Sequence, residues 1–207
     1  NVSDRLTGFQ IAGPKARDVL AACTRSDISD MRFMDVRPMI IGMTQCTVQR
    51  VSYTGDLGYE IYCDPMDQRA LWSTLWTAGQ EHGMKPFGMR AMMSLRLDKF
   101  FGSWMREFSP DYTPCETGMD RFIAWGKNVD FIGRAAAEAE RAAGATRQLV
   151  NFIVDADDAD VVAYEPVWIN GTVQGFCTSG GYSHYAEKSV AYALIPRDQV
   201  KDGLTVE

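Results

Sequence analysis

The chain has little of what most catalytic sites are built from: two histidines and five cysteines among 207 residues. His82 and His184 lie far apart and in no H-E-x-x-H context, so the common zinc-hydrolase pattern is missing. Cys23, Cys46, Cys63, Cys115 and Cys177 are odd in number and never spaced as C-x-x-C. That removes the signature of a disulfide framework or a structural zinc and predicts five buried, reduced thiols in a cytosol-like compartment. No apolar run approaches the roughly 18 residues that cross a bilayer, and Asn1 to Gly13 carries neither a basic nor a hydrophobic leader region, so a cytoplasmic location is expected. Positive charge is also short. Lys and Arg total 21 against 27 Asp and Glu, a net charge of −6, which disfavours nucleic acid and anionic membranes as partners.

Other motifs fail on inspection. Gly126-Lys127 lacks the upstream glycine of a phosphate-binding loop, no G-x-G-x-x-G follows a strand, and Thr178-Ser179-Gly180-Gly181 is no nucleophile elbow. The acidic run Asp155 to Asp160 has calcium-loop charge, but Asp160 stands where an EF-hand loop needs glycine, so a solvated acidic loop is the reading.

What the sequence does contain is a change of period. Leu6 to Ile11 reads as a strand, and Gly13-Pro14 opens a helix through Ala16, Val19 and Leu20, an α/β beginning. Ile40 to Tyr53 is one β-type run, broken at Thr54 to Gly58 and resumed by Glu60 to Cys63. Pro65 to His82 is the clearest helix. A second is expected from about Gly88 to Lys99 with Ala91, Met92 and Leu95 inward, and the alanine-rich run 135–143 is a third, ended by Gly144. Beyond it the period becomes two, with strands over 149–154, 167–169, 173–178 and 190–195 and an Asn170-Gly171 hairpin turn. The fold class is therefore α+β: a first domain over 1–125, a helical linker over 126–146 and a separate small β domain over 147–207.

One motif points to chemistry. In Tyr53-Thr54-Gly55-Asp56-Leu57-Gly58-Tyr59-Glu60-Ile61 a carboxylate follows a glycine-rich turn inside an apolar strand. Glu60 either faces water at a sheet edge or faces a pocket, where one carboxylate can accept two parallel N–H bonds from a planar heterocycle such as a pterin.

The stretch resembles the Y-T-G-E-x-G-(Y/F)-E-I signature of the glycine-cleavage T-protein family, the folate-dependent aminomethyltransferases. Gly13-Pro14-Lys15-Ala16, Ser94-Leu95-Arg96-Leu97-Asp98, Phe131-Ile132-Gly133-Arg134 and Thr178-Ser179-Gly180, with Lys188-Ser189-Val190-Ala191, are similar to further family motifs in the same order. Asp98-Lys99-Phe100-Phe101 with Trp104 and Thr113-Pro114 looks like the folate domain of dimethylglycine and sarcosine dehydrogenases or oxidases.

The resemblance implies a tetrahydrofolate-dependent one-carbon transferase domain, built as a truncated folate-binding α/β domain over 1–125 and a small C-terminal antiparallel β-barrel domain over 147–207. It further implies a small N-methylated amino-acid donor and either an FAD domain elsewhere in the polypeptide or, for a free-standing aminomethyltransferase, a lipoyl carrier protein. A non-catalytic folate-binding protein of the same fold is the remaining alternative. Glu60 would hold the pterin edge, Tyr53 would pack near it, and Trp104 would cover the site. Arg96 and Asp98 are expected to pair on their helix. The family's catalytic aspartate belongs to a segment upstream of the Gly13-Pro14 helix, so the chain reads as a fragment whose catalytic residue lies outside it, and the family's tail-binding arginine is replaced here by Met92.

Overall fold

The structure is a computed structural model that describes residues 1–207. It divides into two compact units, Asn1–Met93 and Ser94–Glu207, with the boundary inside the helix Met89–Leu95. The expected linker, 126–146, lies wholly within the second unit.

The first unit is a four-stranded sheet with helices on one face. Its strands are β1 (Thr7–Ala12), β2 (Val36–Ile41), β3 (Thr44–Gln49) and β4 (Gly58–Cys63), in the order β1-β4-β3-β2. Every pairing is antiparallel, within the α+β class that the sequence predicts. The run read as one strand is a hairpin: Gly42 adopts φ +60° and reverses the chain between Ile41 and Thr44. Helices α1 (Ala16–Cys23) and α2 (Gln68–Gln80) bury Val19, Leu20, Leu71 and Leu75 against the sheet face formed by Ile11, Val48, Tyr59 and Ile61. Because β side chains alternate, the opposite face carries Gln10, Gln49, Glu60 and Tyr62.

Helix α3 is shorter than its periodicity predicts, Met89–Leu95, and continues as a 3-10 turn over Arg96–Lys99, closed by Phe100 at φ +56°. Ala91 is exposed; the residues that reach the interior are Arg96 and Leu97. The inward face is thus set by the turn, not by the helix.

The second unit is built on strands β5 (Arg147–Val154), β6 (Pro166–Ile169), β7 (Thr172–Ser183) and β8 (Lys188–Pro196), ordered β5-β8-β7-β6 and antiparallel throughout. Asn170 and Gly171 both have positive φ, the geometry of the two-residue hairpin their sequence predicts. Strand β8 is buried on both faces, with Ala191, Ala193 and Ile195 in one apolar cluster and Val190, Tyr192 and Leu194 in another. Two short helices, α4 (Pro114–Thr117) and α5 (Arg134–Ala143), complete it. Four of the five cysteines are buried; Cys115 is only half-buried.

Candidate functional site

Glu60 sits at the middle of β4, which has β1 on one side and β3 on the other. A sheet-edge position is therefore excluded. The antiparallel register sets Gln10 of β1 and Gln49 of β3 directly opposite it, making a half-buried polar row across three strands on the face away from the core. Such a row is costly in an apolar surrounding unless its groups find partners. One carboxylate oxygen of Glu60 accepts a hydrogen bond from the Tyr62 hydroxyl at 2.6 Å, and that bond, with burial, pushes the Tyr62 phenol up to about 12 and keeps it a donor. The other oxygen, Oε1, has no protein donor. The Gln10 amide nitrogen is buried and likewise has no acceptor. An open carboxylate oxygen beside an unpaired amide donor fits a ligand edge that offers donors and an acceptor together, as a pterin does.

Glycines make room for this row. A Cβ at Gly8 would stand 2.9 Å from the Tyr62 ring, and one at Gly58 would meet the Ser52 side chain at 2.8 Å and the Ile11 carbonyl at 2.9 Å. The turn Ser52–Leu57 can fold back over the start of β4 only because Gly58 lacks that atom; Gly55 at φ +85° reverses it and the Ser52 and Thr54 hydroxyls bond at 2.9 Å. Tyr53 is half-buried on this turn and not in a strand, so it is no strand-core aromatic. Glu60 and Tyr53 thus belong to the same unit. Trp104 belongs to the other: it is 82% exposed and meets only the Phe108 ring edge-on, 6.2 Å between centroids.

Sequence reasoning missed Gln10 and Gln49 in the first unit and a buried network in the second. Arg96 pairs not with Asp98 but with Glu107: Arg96 Nη1 donates to Glu107 Oε2 at 3.1 Å and to the Phe101 carbonyl at 2.8 Å, while Nη2 donates to Ser179 Oγ at 2.5 Å. Ser179 passes its own hydroxyl hydrogen to Glu107 Oε1, also at 2.5 Å, and the Ser103 amide completes the carboxylate at 2.9 Å. Arg96 also lies over the Tyr192 ring, 5.2 Å from its centroid. Burial alone would raise the Glu107 carboxyl, but the bonds from Ser179, Thr178 and Ser103 and the Arg96 charge outweigh it and hold the group below the ordinary glutamate range. A bulge at Thr178 in β7 turns Ser179 to the side of Tyr192 and so toward Arg96. Ser94-Leu95-Arg96-Leu97 and Thr178-Ser179-Gly180 were visible as separate motifs; Glu107, which joins them, carries no motif of its own.

The acidic stretch 155–160 is exposed, and no group of three His, Cys, Asp or Glu side chains is placed to hold a metal.

The chain belongs to the glycine cleavage T-protein family. The GCVT N-terminal domain matches residues 1–127 and the glycine cleavage T-protein C-terminal barrel domain matches residues 147–207. Among individual relatives, the mitochondrial dimethylglycine dehydrogenase of Homo sapiens is 39% identical over 209 residues, covering all of this chain and 24% of that protein. An aminomethyltransferase of Alkaliphilus metalliredigens is 34% identical over 208 residues, covering all of this chain and 56% of that one. The crystal structure of the aminomethyltransferase T from Bartonella henselae superposes with a TM-score of 0.86 at 24% identity, over 97% of this chain and 54% of that one, and shares the fold. The chain spans about a quarter of the dehydrogenase and just over half of the aminomethyltransferases.

Proposed function

We propose that this chain is the tetrahydrofolate-binding region of a one-carbon transferase, in a flavoprotein that oxidises dimethylglycine or sarcosine. The observation that carries the folate reading is the Gln10–Glu60–Gln49 row, with an open carboxylate oxygen and an unpaired amide donor side by side on one sheet face. Glu60 would accept the ring N–H and exocyclic amine of the pterin, Gln10 would donate to the ring acceptor beside them, and Tyr62 fixes the carboxylate in place. Bound tetrahydrofolate supplies the amine nitrogen that takes up the one-carbon unit. The flavoprotein assignment is supported by 39% identity across the whole chain to a dimethylglycine dehydrogenase, against 34% to an aminomethyltransferase, and FAD would then be held by another part of the polypeptide. The second relative supports a parallel reading, an aminomethyltransferase served by a lipoyl carrier protein. Free thiols throughout the chain support a reducing, cytoplasm-like compartment.

Titration of the chain with tetrahydrofolate and with tail-less tetrahydropterin tests the folate reading. Binding of both is expected, since the recognised edge is common to them; binding of neither removes it.

A further inference from the structure

The core of the first unit contains two cysteines that stand far apart in sequence and face each other in the fold. Strands β3 and β4 pair with Thr47 opposite Tyr62, Val48 opposite Ile61 and Gln49 opposite Glu60. One step further along that register sets Cys46 opposite Cys63. Side-chain alternation puts both on the core face, where Cys46 and Val48 of β3 and Ile61 and Cys63 of β4 are buried in one cluster. Directly opposed residues of antiparallel strands have Cα atoms about 4.5 or 5.5 Å apart, according to which of the two pair types they occupy. Both separations lie within the roughly 4.4 to 6.8 Å that a disulfide spans.

The chemistry of the two sulfurs agrees with that closeness. Burial, and after it the neighbouring Cys63, push the Cys46 thiol up to about 11, and burial with the Asp67 and Asp64 carboxylates raises Cys63. Both groups are therefore protonated at rest and persist as thiols in a reducing compartment. The other cysteines lie elsewhere: Cys23, on α1, gives its thiol hydrogen to the Thr74 carbonyl of α2 at 3.7 Å, and Cys115 and Cys177 belong to the second unit. Cys63 is the last residue of β4, where fraying of the strand end opens a way in for a small oxidant.

We propose that Cys46 and Cys63 are a redox-modification site, a dithiol that closes into a cross-strand disulfide clipping β3 to β4. With a small organic disulfide as oxidant, one cysteine sulfur attacks an oxidant sulfur and releases the first reduced thiol. The second cysteine sulfur then attacks the protein half of that mixed disulfide and releases the other, so one S–S bond forms, one breaks, and the two cysteine protons end on the two released thiols. The new bond encloses the turn 50–57 and lies on the reverse face of the strand pair that carries Gln49 and Glu60, so it locks the register that sets those two side by side. Nothing in this pairing depends on the folate reading.

Treatment of the folded, reduced chain with 2,2′-dithiodipyridine, followed by acid quenching, digestion and mass spectrometry, tests this. A pair of peptides joined through Cys46 and Cys63 is expected, lighter by two hydrogens than the two reduced peptides and separated again by dithiothreitol. Oxidation should also raise the midpoint of urea unfolding, because a cross-link that closes a loop restricts the unfolded chain. Cys46→Ala and, separately, Cys63→Ala should lose that rise; if either folds poorly, the wild-type peptide map decides alone. Absence of the link under native conditions, a link that forms only in urea, joining of Cys46 or Cys63 to another cysteine, an oxidised midpoint that is unchanged or lower, or a folded alanine variant that keeps the rise would each overturn the assignment.

Discussion

Replacing Glu107 by alanine tests the buried network of the second unit. Arg96 and Glu107 side chains are 2% and 0% exposed, so the variant leaves a guanidinium inside the protein with no counter-charge and takes an acceptor from Ser179 and from the Ser103 amide. Breaking a buried pair on one side costs on the order of 3 to 5 kcal/mol, a large part of the roughly 5 to 15 kcal/mol that holds a typical domain together. The double variant Arg96→Met with Glu107→Leu removes both charges into similar volumes and should cost less than the sum of the single changes, with a coupling of about 2 kcal/mol or more. Acid should act the same way. Because the folded-state carboxyl titrates below its unfolded value of about 4.3, its contribution is complete above that value and is lost as pH falls through the lower, folded value. Urea unfolding of wild type and variants at pH 7 and in the acid range measures both effects. A Glu107→Ala variant within about 1 kcal/mol of wild type at pH 7, or singles that add to the double, would refute the argument.

Three further outcomes are expected. Thr113→Ala should cost about 1 to 2 kcal/mol in urea unfolding, because Thr113 caps α4 in a reciprocal box with Glu116 and also bonds Glu140 at 2.6 Å. Gly180→Ala should lower the melting temperature by several degrees: its Cβ would lie 2.1 Å from the Val161 carbonyl, so the adjoining loop has to move, at a cost of about 1 to 3 kcal/mol. Iodoacetamide at pH 8 should alkylate Cys115 first in the native protein, read by mass spectrometry, since Cys46 is 3% exposed with its thiol pushed up to about 11 by burial.

Local signals carried most of the elements. Pro14, Gly144 and Asn170-Gly171 mark boundaries through their own backbone preferences, and the structure places a helix start, a helix end and a hairpin turn there. Failures came where the deciding atoms are distant in sequence. The β2–β3 reversal at Gly42 was hidden because a single glycine in an apolar run also suits a continuous strand. Arg96 was assigned to a neighbour two residues away, Asp98, when its partners are Glu107 and Ser179, and a bulge that no local pattern announces brings Ser179 into reach. Glu60 was recognisable from its motif, yet Gln10 and Gln49 were not, because only strand register puts them beside it. Trp104 stood out as an aromatic in a long irregular stretch, and its position in a different unit from Glu60 is a property of the fold alone.

The central claim is that the Glu60 carboxylate holds the pterin edge, and calorimetric titration of tetrahydrofolate into wild type and Glu60→Gln tests it most directly. The substitution keeps shape but sets an amide N–H₂ against a ligand donor, removing a charge-assisted bond worth about 1.5 to 3 kcal/mol. Affinity should fall roughly tenfold to a hundredfold or more, while the melting temperature stays close to wild type, since the carboxylate's protein hydrogen bond is to the Tyr62 hydroxyl, which an amide oxygen can also accept. Unchanged affinity, or a collapse of the melting temperature, would contradict the claim.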